Sequence, residues 1–171
     1  DTVNIEVLPA PNPTITTNQL TYCSSENPIT LTSASSGGTW SGSGIVDANA
    51  GTFDPSAAGG GEHEIVYSVS NDYCTNTDTI TIEVETPANA TIDSVAPLCE
   101  NDGGFYLDAA QLGGTWSGTG ITLPGLGFFN PSSAGVGTHE IIYSFSGICT
   151  TADTINIVVD SVPEVEILTQ L

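Results

Sequence analysis

Lysine and arginine do not occur in this chain of 171 residues, and methionine is missing as well. Twenty acidic side chains therefore stand uncompensated, giving a formal charge of −20. Nucleic-acid binding displaces counterions with cationic side chains, so that class of partner is excluded. Attraction to an anionic membrane surface is excluded for the same reason. Lysine chemistry, both Schiff-base formation and Lys–Asn isopeptide crosslinking, is excluded too. No apolar run approaches the roughly 18 residues of a membrane span, so membrane insertion is not expected. Long stretches with apolar residues at helical spacing are also lacking. A signal peptide is absent, and with the Asp1 start and the missing Met the chain reads as an internal piece of a processed polypeptide.

What remains is a chain of short β-branched runs separated by Gly, Ser, Thr, Asn, Asp and Pro, the pattern of many strands joined by turns. It is also a repeat. The hexapeptide Gly-Gly-Thr-Trp-Ser-Gly occupies 37–42 and again 113–118, an offset of 76. At that offset Gly44/Gly120, Gly51/Gly127, Phe53/Phe129 and Pro55/Pro131 coincide, and HEIVYSVS (63–70) matches HEIIYSFS (139–146). After one deletion near Asp72, DTITIEV (78–84) matches DTINIVV (153–159). The same strand opens the chain as DTVNIEV (1–7), and SVPEVEIL (161–168) looks like the start of a further unit.

The expected organisation is therefore a last strand of a preceding repeat at 1–8, one repeat at 9–86, a second at 87–162, and a first strand of a following repeat at 163–171. A second phasing makes residues 1–7 the initial strand of the first repeat. The fold class expected is all-β: two tandem immunoglobulin-like antiparallel sandwiches. In the first repeat, strands are expected near 14–17, 20–23, 29–32, 38–41, 52–54, 63–70 and 79–85.

Units of about 75 residues have thin cores, and the cysteines offer help. Four cysteines allow three pairings; their equivalent places favour one bridge within each repeat, Cys23–Cys74 and Cys99–Cys149. Such bonds imply an oxidising, extracellular setting. Trp40 and Trp116 each follow the first cysteine of their repeat by 17 residues, a spacing that reads as a core plug packed on an inter-sheet bridge. Sugar stacking is the alternative role for these indoles.

The pattern Cys…GGTWSGxGI…FxP…AGxGxHEIxYS…Cys…DTIxIxV resembles immunoglobulin-like repeats of large secreted surface proteins of Bacteroidetes, some of them gliding-associated adhesins exported by the type IX system. The resemblance implies extracellular placement and a stalk, spacer or adhesive role. It also implies O-glycosylation at Asp-Ser/Thr-apolar triplets, here at Thr2, Thr79, Ser94, Thr154 and Ser161; a turn Asp opening a Thr-rich strand is the plainer reading of each.

Catalytic residues are not expected. His63 and His139 each precede a Glu but lack the helical HExxH continuation, the glycine-rich segments lack phosphate-loop spacing, and no Ser lies in a GxSxG elbow. Asp47, Asn49 and Asp54 around DANAG (47–51) are the candidate calcium ligands, although Leu123, Gly125 and Asn130 replace them in the second repeat. Calcium held between units by Asp160, Glu164 and Glu166 is a further candidate. Short Pro-containing joints, PAPNP (9–13) and ETPA (85–88), suit a stiff array. The functional expectation is a structural segment of an extracellular surface filament or adhesin stalk, whose partners are neighbouring repeats. The alternatives are a glycan-binding module using Tyr22, Tyr73, Phe105 or Tyr106, and a spacer carried by a secreted enzyme.

Overall fold

The computed structural model describes residues 2–4, 7 and 9–163. The expected flanking strands at 1–8 and 163–171 thus fall largely outside the described residues; Thr2–Asn4 and Val7 carry no strand assignment. The chain divides into two compact units, Asp1–Pro87 and Ala88–Leu171.

In the first unit the strands are β1 (Thr21–Cys23), β2 (Ile29–Thr30), β3 (Thr39–Ser41), β4 (Ile45–Asp47) and β5 (Thr52–Phe53). A single-turn helix α1 (Pro55–Ala58) and the long hairpin of β6 (Gly61–Ser70) and β7 (Thr75–Glu85) complete it. The second unit repeats this order with β8 (Leu98–Cys99), β9 (Phe105–Tyr106), β10 (Thr115–Gly118), β11 (Ile121–Leu123), β12 (Phe128–Phe129), α2 (Pro131–Ala134), β13 (Gly137–Phe145) and β14 (Thr151–Asp160). Each unit is an immunoglobulin-like sandwich. Four strands in the order β1-β7-β6-β3 face three in the order β2-β5-β4, and β8-β14-β13-β10 likewise face β9-β12-β11.

Alternation in the long hairpin decides which face is inside. Ile65, Tyr67 and Val69 on β6 are buried, as are Ile82 and Val84 on β7. They join Tyr22, Leu31, Trp40 and Phe53 in one core. In the second unit Ile141, Tyr143, Ile157 and Val159 pack with Leu107, Trp116 and Phe129. One exchange shows that the two cores are filled to the same plan. Tyr22 lies over Phe53 in the first (centroids 6.1 Å apart), and its counterpart is Leu98. In the second unit Phe105, which replaces Ile29, lies over Phe129 at the same 6.1 Å. An aromatic lost from one strand is restored from the next, which keeps the core volume close to constant.

The duplicated hexapeptide sits at the centre of each core. Trp40 on β3 pairs in register with Tyr67 on β6, and their rings lie 4.5 Å apart; Trp116 and Tyr143 repeat this at 4.4 Å. Trp40 is 5% exposed and Tyr67 1%. The phenol is satisfied on both sides: Tyr67 Oη donates to the Ser35 carbonyl at 2.6 Å and accepts from the Gly38 N–H at 2.9 Å. Tyr143 does the same with Gln111 (2.8 Å) and Gly114 (2.8 Å). Glycine is required here by proximity. A Cβ at Gly38 or Gly114 would stand 2.6 Å from the tyrosine ring, and one at Gly51 or Gly127 would stand 2.6 Å from the indole Nε1. Gly51 and Gly127 also adopt positive φ, near +70°.

Three departures from the sequence-level expectation have physical causes. The expected strand at 14–17 is reduced to a single bridge, Ile15 to Ser33, with Ile92 to Ala109 in the second unit. Strand β4 and helix α1 were not anticipated. The helix is nonetheless written in the chain, since Asp54 caps it by accepting from Ser56 and Ala57, and Pro55 occupies its first turn.

The third departure concerns the cysteines, and it is a correction. Cys23 and Cys149 are disulfide-bonded, whereas Cys74 and Cys99 are free thiols. Neither Cys23–Cys74 nor Cys99–Cys149 is formed. Strand topology forbids both. Cys23 ends β1, which runs parallel to β7 and pairs with Glu85 at its far end, while Cys74 immediately precedes β7. An extended strand of that length spans roughly 35 Å, far beyond the roughly 7 Å between Cα atoms that a disulfide tolerates. Cys99 pairs with Asp160 at the end of β14, and Cys149 lies just before its start, so the second unit has the same separation. Trp40 accordingly packs on Tyr67 rather than on a bridge.

The Trp–Tyr–Gly arrangement generates a direct expectation. Y67F, which strips the Ser35 carbonyl and Gly38 N–H of their buried partner, should lower stability by about 1–3 kcal/mol. G127A, which forces a methyl against the indole, should cost roughly 2–3 kcal/mol. Urea unfolding followed by tryptophan fluorescence reads both; wild-type midpoints in the two variants would contradict this packing.

Candidate functional site

His63 follows the start of β6, and its Nε2–H donates to the Gly59 carbonyl at 2.8 Å; His139 donates to Gly135 at 2.7 Å. The two histidines thus fasten the end of the single-turn helix to the neighbouring strand. Asp47 Oδ1 accepts from the N–H groups of Asn49 and Ala50, both at 2.9 Å, closing the turn after β4. Asp54 Oδ1 accepts from the Ser56 N–H and hydroxyl at 2.9 and 2.7 Å. The Ser56 hydroxyl, with the backbone N–H groups of Ser56 and Ala57, holds this carboxyl below its ordinary value. Asn130 takes over the same cap in the second unit. Asp47, Asn49 and Asp54 are therefore engaged as a turn and a cap. Among the described residues no three His, Cys, Asp or Glu side chains converge in a way that could hold a metal ion. Glu164 and Glu166 lie outside the described residues.

The Asp-Thr-Ile triplets have a structural role that sequence reading missed. Asp78 stands within β7, yet its Oδ2 reaches across to accept from the Ile15 N–H at 2.8 Å while Oδ1 accepts from Thr79 N–H at 2.9 Å. Asp153 clamps Ile92 (2.9 Å) and Thr154 (2.8 Å) in the same way. Each carboxylate thereby replaces the ladder hydrogen bonds that the short first segment lacks. The Ile92 N–H, then that of Thr154, hold the Asp153 carboxyl below its ordinary value of 3.8. The adjoining hydroxyl residues Thr79 and Thr154 are exposed, as are Thr2, Ser94 and Ser161.

The Pro-containing segments are fastened too. Asn71 and Asn76 donate through Nδ2 to the carbonyls of Pro9 and Pro11, and Pro13 is buried. In the second unit the Thr151 hydroxyl donates to the Ala88 carbonyl at 3.1 Å.

Of the aromatic residues considered as sugar platforms, Tyr22 is buried, and its hydroxyl donates to the Gln19 carbonyl at 2.9 Å. Burial, then the charge of Glu26, pushes its phenol upward. Phe105 is half-buried, whereas Tyr73 (76%) and Tyr106 (57%) are exposed. Tyr106 stands edge-on to Phe128 at 5.0 Å. The second unit also contains an apolar cavity of about 280 Å³ between Leu107, Leu112, Trp116, Leu126 and Tyr143. In the first unit Ser36 and Ala50 stand where the second has Leu112 and Leu126.

No protein-family model matches the chain, and no curated protein does. Among solved structures it is similar to human protocadherin-24 EC1-2 (12% identity, TM-score 0.43, covering 90% of this chain and 99% of that one). It is also similar to the insect immune protein hemolin, a structure described as having implications for homophilic adhesion (9% identity, TM-score 0.46, covering 89% of this chain and 46% of that one). Protocadherin gammaB7 EC3-6, solved as a cis-dimer, follows at 14% identity and a TM-score of 0.36, covering 86% of this chain and 49% of that one. These likenesses are remote.

The clamp has a pH signature. A carboxyl whose folded value is depressed stabilises the fold above its ordinary value, and that stabilisation is lost as pH falls through the folded value. The melting temperature of the wild type should therefore fall on acidification from near 3.8 downward. D153A should melt lower at neutral pH and lose less across the same acid range. An identical acid loss in both proteins would contradict the clamp.

Proposed function

We propose that this chain is a structural, non-catalytic segment of an extracellular surface filament or adhesin stalk, built from tandem immunoglobulin-like repeats. The observation that carries the reading is the internal duplication: two sandwiches with the same strand order, the same Trp–Tyr core and the same histidine latch. The joints support it, since Pro9 and Pro11 are tied down by Asn71 and Asn76. A joint fixed to its own repeat restricts bending, which is what a stalk needs. The uncompensated charge of −20 keeps neighbouring filaments apart, and the lack of Lys and Arg leaves trypsin-like proteases no cleavage site. Disulfide-bonded cysteines support an oxidising, extracellular location. In this reading residues 1–8 and 163–171 belong to neighbouring repeats, the parent is a secreted Bacteroidetes surface protein of the type IX class, and Thr2, Thr79, Ser94, Thr154 and Ser161 are its O-glycan acceptors.

A second reading, glycan binding, is favoured by one observation: the exposed Tyr106 beside Phe128 offers a platform on which a sugar ring could stack.

Gold-labelled antibodies against this chain, imaged on intact source cells, test the first reading. Label on thin projections at a distance from the cell envelope is the expected result. Label confined to the medium or to a compact envelope-bound enzyme would overturn it. A glycan array probed with wild type and Y106A tests the second; binding lost in Y106A supports it, and no binding by the wild type removes it.

A further inference from the structure

We propose that Cys74 and Cys99 are the two open halves of repeat-to-repeat disulfides, each made to bond a cysteine of an adjacent repeat or of a second copy of this chain. The inference rests on the tandem-repeat part of the stalk reading and adds to it a covalent, head-to-tail join.

The first support is geometric. Each sandwich carries one cysteine at either end of its last strand: Cys23 opposite Glu85 and Cys74 just before Thr75, Cys99 opposite Asp160 and Cys149 just before Thr151. A repeat built this way cannot close a bridge on itself, because the strand between the two sulfurs spans roughly 35 Å. Any disulfide such repeats form must leave the repeat.

The second support is internal comparison. Cys99 is free, but its counterpart Cys23 is disulfide-bonded; Cys74 is free, but its counterpart Cys149 is bonded. The free and bonded members of the first pair sit in the same turn. The carbonyl of Cys23 accepts from the Glu26 N–H at 2.9 Å, and its own N–H donates to the Glu26 side chain at 3.1 Å. Cys99 is held likewise by the Asp102 N–H (3.0 Å) and the Asp102 side chain (2.7 Å). The thiol of Cys99 is thus presented by the local backbone that presents an oxidised cysteine one repeat earlier. Cys74 is also held, its N–H donating to Asn71 Oδ1 at 2.7 Å and its carbonyl accepting from the Asn71 N–H at 2.9 Å. Both thiols are partly exposed.

The chemistry is thiol–disulfide exchange with a small-molecule or protein disulfide as the oxidant. The Cys99 thiolate attacks one sulfur of the oxidant, forming a mixed disulfide and releasing one thiol. The Cys74 thiolate of the next copy then attacks the Cys99 sulfur and displaces the second thiol. Two protein thiols are oxidised, and one disulfide is reduced to two thiols. Oxidised 2-mercaptoethanol suits the experiment because it is uncharged, whereas this chain repels anions.

The test incubates the full chain at high concentration with oxidised 2-mercaptoethanol, then uses a non-reducing gel and mass mapping after cleavage at acidic residues. The expected result is a reductant-sensitive ladder in steps of 17.5 kDa, with a Cys74–Cys99 peptide bridging two copies. C74S alone and C99S alone should remain monomeric, and their mixture should give a single dimer band. Three results would overturn the inference: a wild type that stays monomeric with both thiols titrating, a Cys74–Cys99 bond inside one chain, or homodimers of a single variant as abundant as the mixed dimer. The wild-type map does not depend on how either variant folds. A monomeric outcome with surface projections still labelled sinks this inference alone; a ladder without projections sinks the stalk reading alone.

Discussion

The packing of one indole against one phenol over glycine organises each half of this protein. Trp40 and Tyr67, or Trp116 and Tyr143, face each other across adjacent antiparallel strands at 4.4–4.5 Å. Neither ring reaches that position unless the backbone at Gly51 or Gly127 passes directly beneath the indole. The phenol in turn hydrogen-bonds to the hexapeptide's second glycine and to the carbonyl of Ser35 or Gln111, tying the loop before β3 or β10 to the long hairpin. This explains why the hexapeptide is written twice without change. Its second and last glycines are needed for room, its first for a positive φ of +87° at Gly37 and +104° at Gly113, and its tryptophan for the bulk of a thin core.

Around that centre the remaining polar groups are spent on holding short segments in place. Strands of two or three residues form few ladder bonds, so side chains substitute for them: Asp78 and Asp153 clamp the opening segments, Asp54 and Asn130 cap the single-turn helices, and His63 and His139 latch those helices to the sheet. Every buried side-chain polar atom among the described residues has a partner. Carboxylates and imidazoles that would otherwise suggest a metal or catalytic centre are engaged in scaffolding, and beyond the core exchange of Tyr22 for Leu98 and Ile29 for Phe105 the repeats also differ at exposed positions such as Leu112, Leu126 and Tyr106.

Much of this was legible in the chain. The duplication, the all-β class and the inward face of HEIVYSVS follow from letter matches and a period of two. The helix could have been found as well, since Asp54-Pro55 and Asn130-Pro131 are a cap followed by a first-turn proline. The cysteine pairing could not. It depends on β1 running parallel to β7, a contact between segments sixty residues apart that leaves no local trace, and an immunoglobulin-like template places the first cysteine on an inner strand instead. The carboxylate clamps were hidden for a related reason: Asp78 reads as a turn residue, while its partner Ile15 is distant in sequence.

The claim that the repeated hexapeptide is scaffold meets its most direct test in native-state hydrogen exchange. Gly38 and Gly114 carry loop amides that would exchange within the fastest class were their N–H groups open to water. Donated to buried phenols, both should exchange only as slowly as the core strands β6 and β13 of their own repeats. Exchange at the rate of exposed loop amides would show that the phenol does not hold them and would contradict the account.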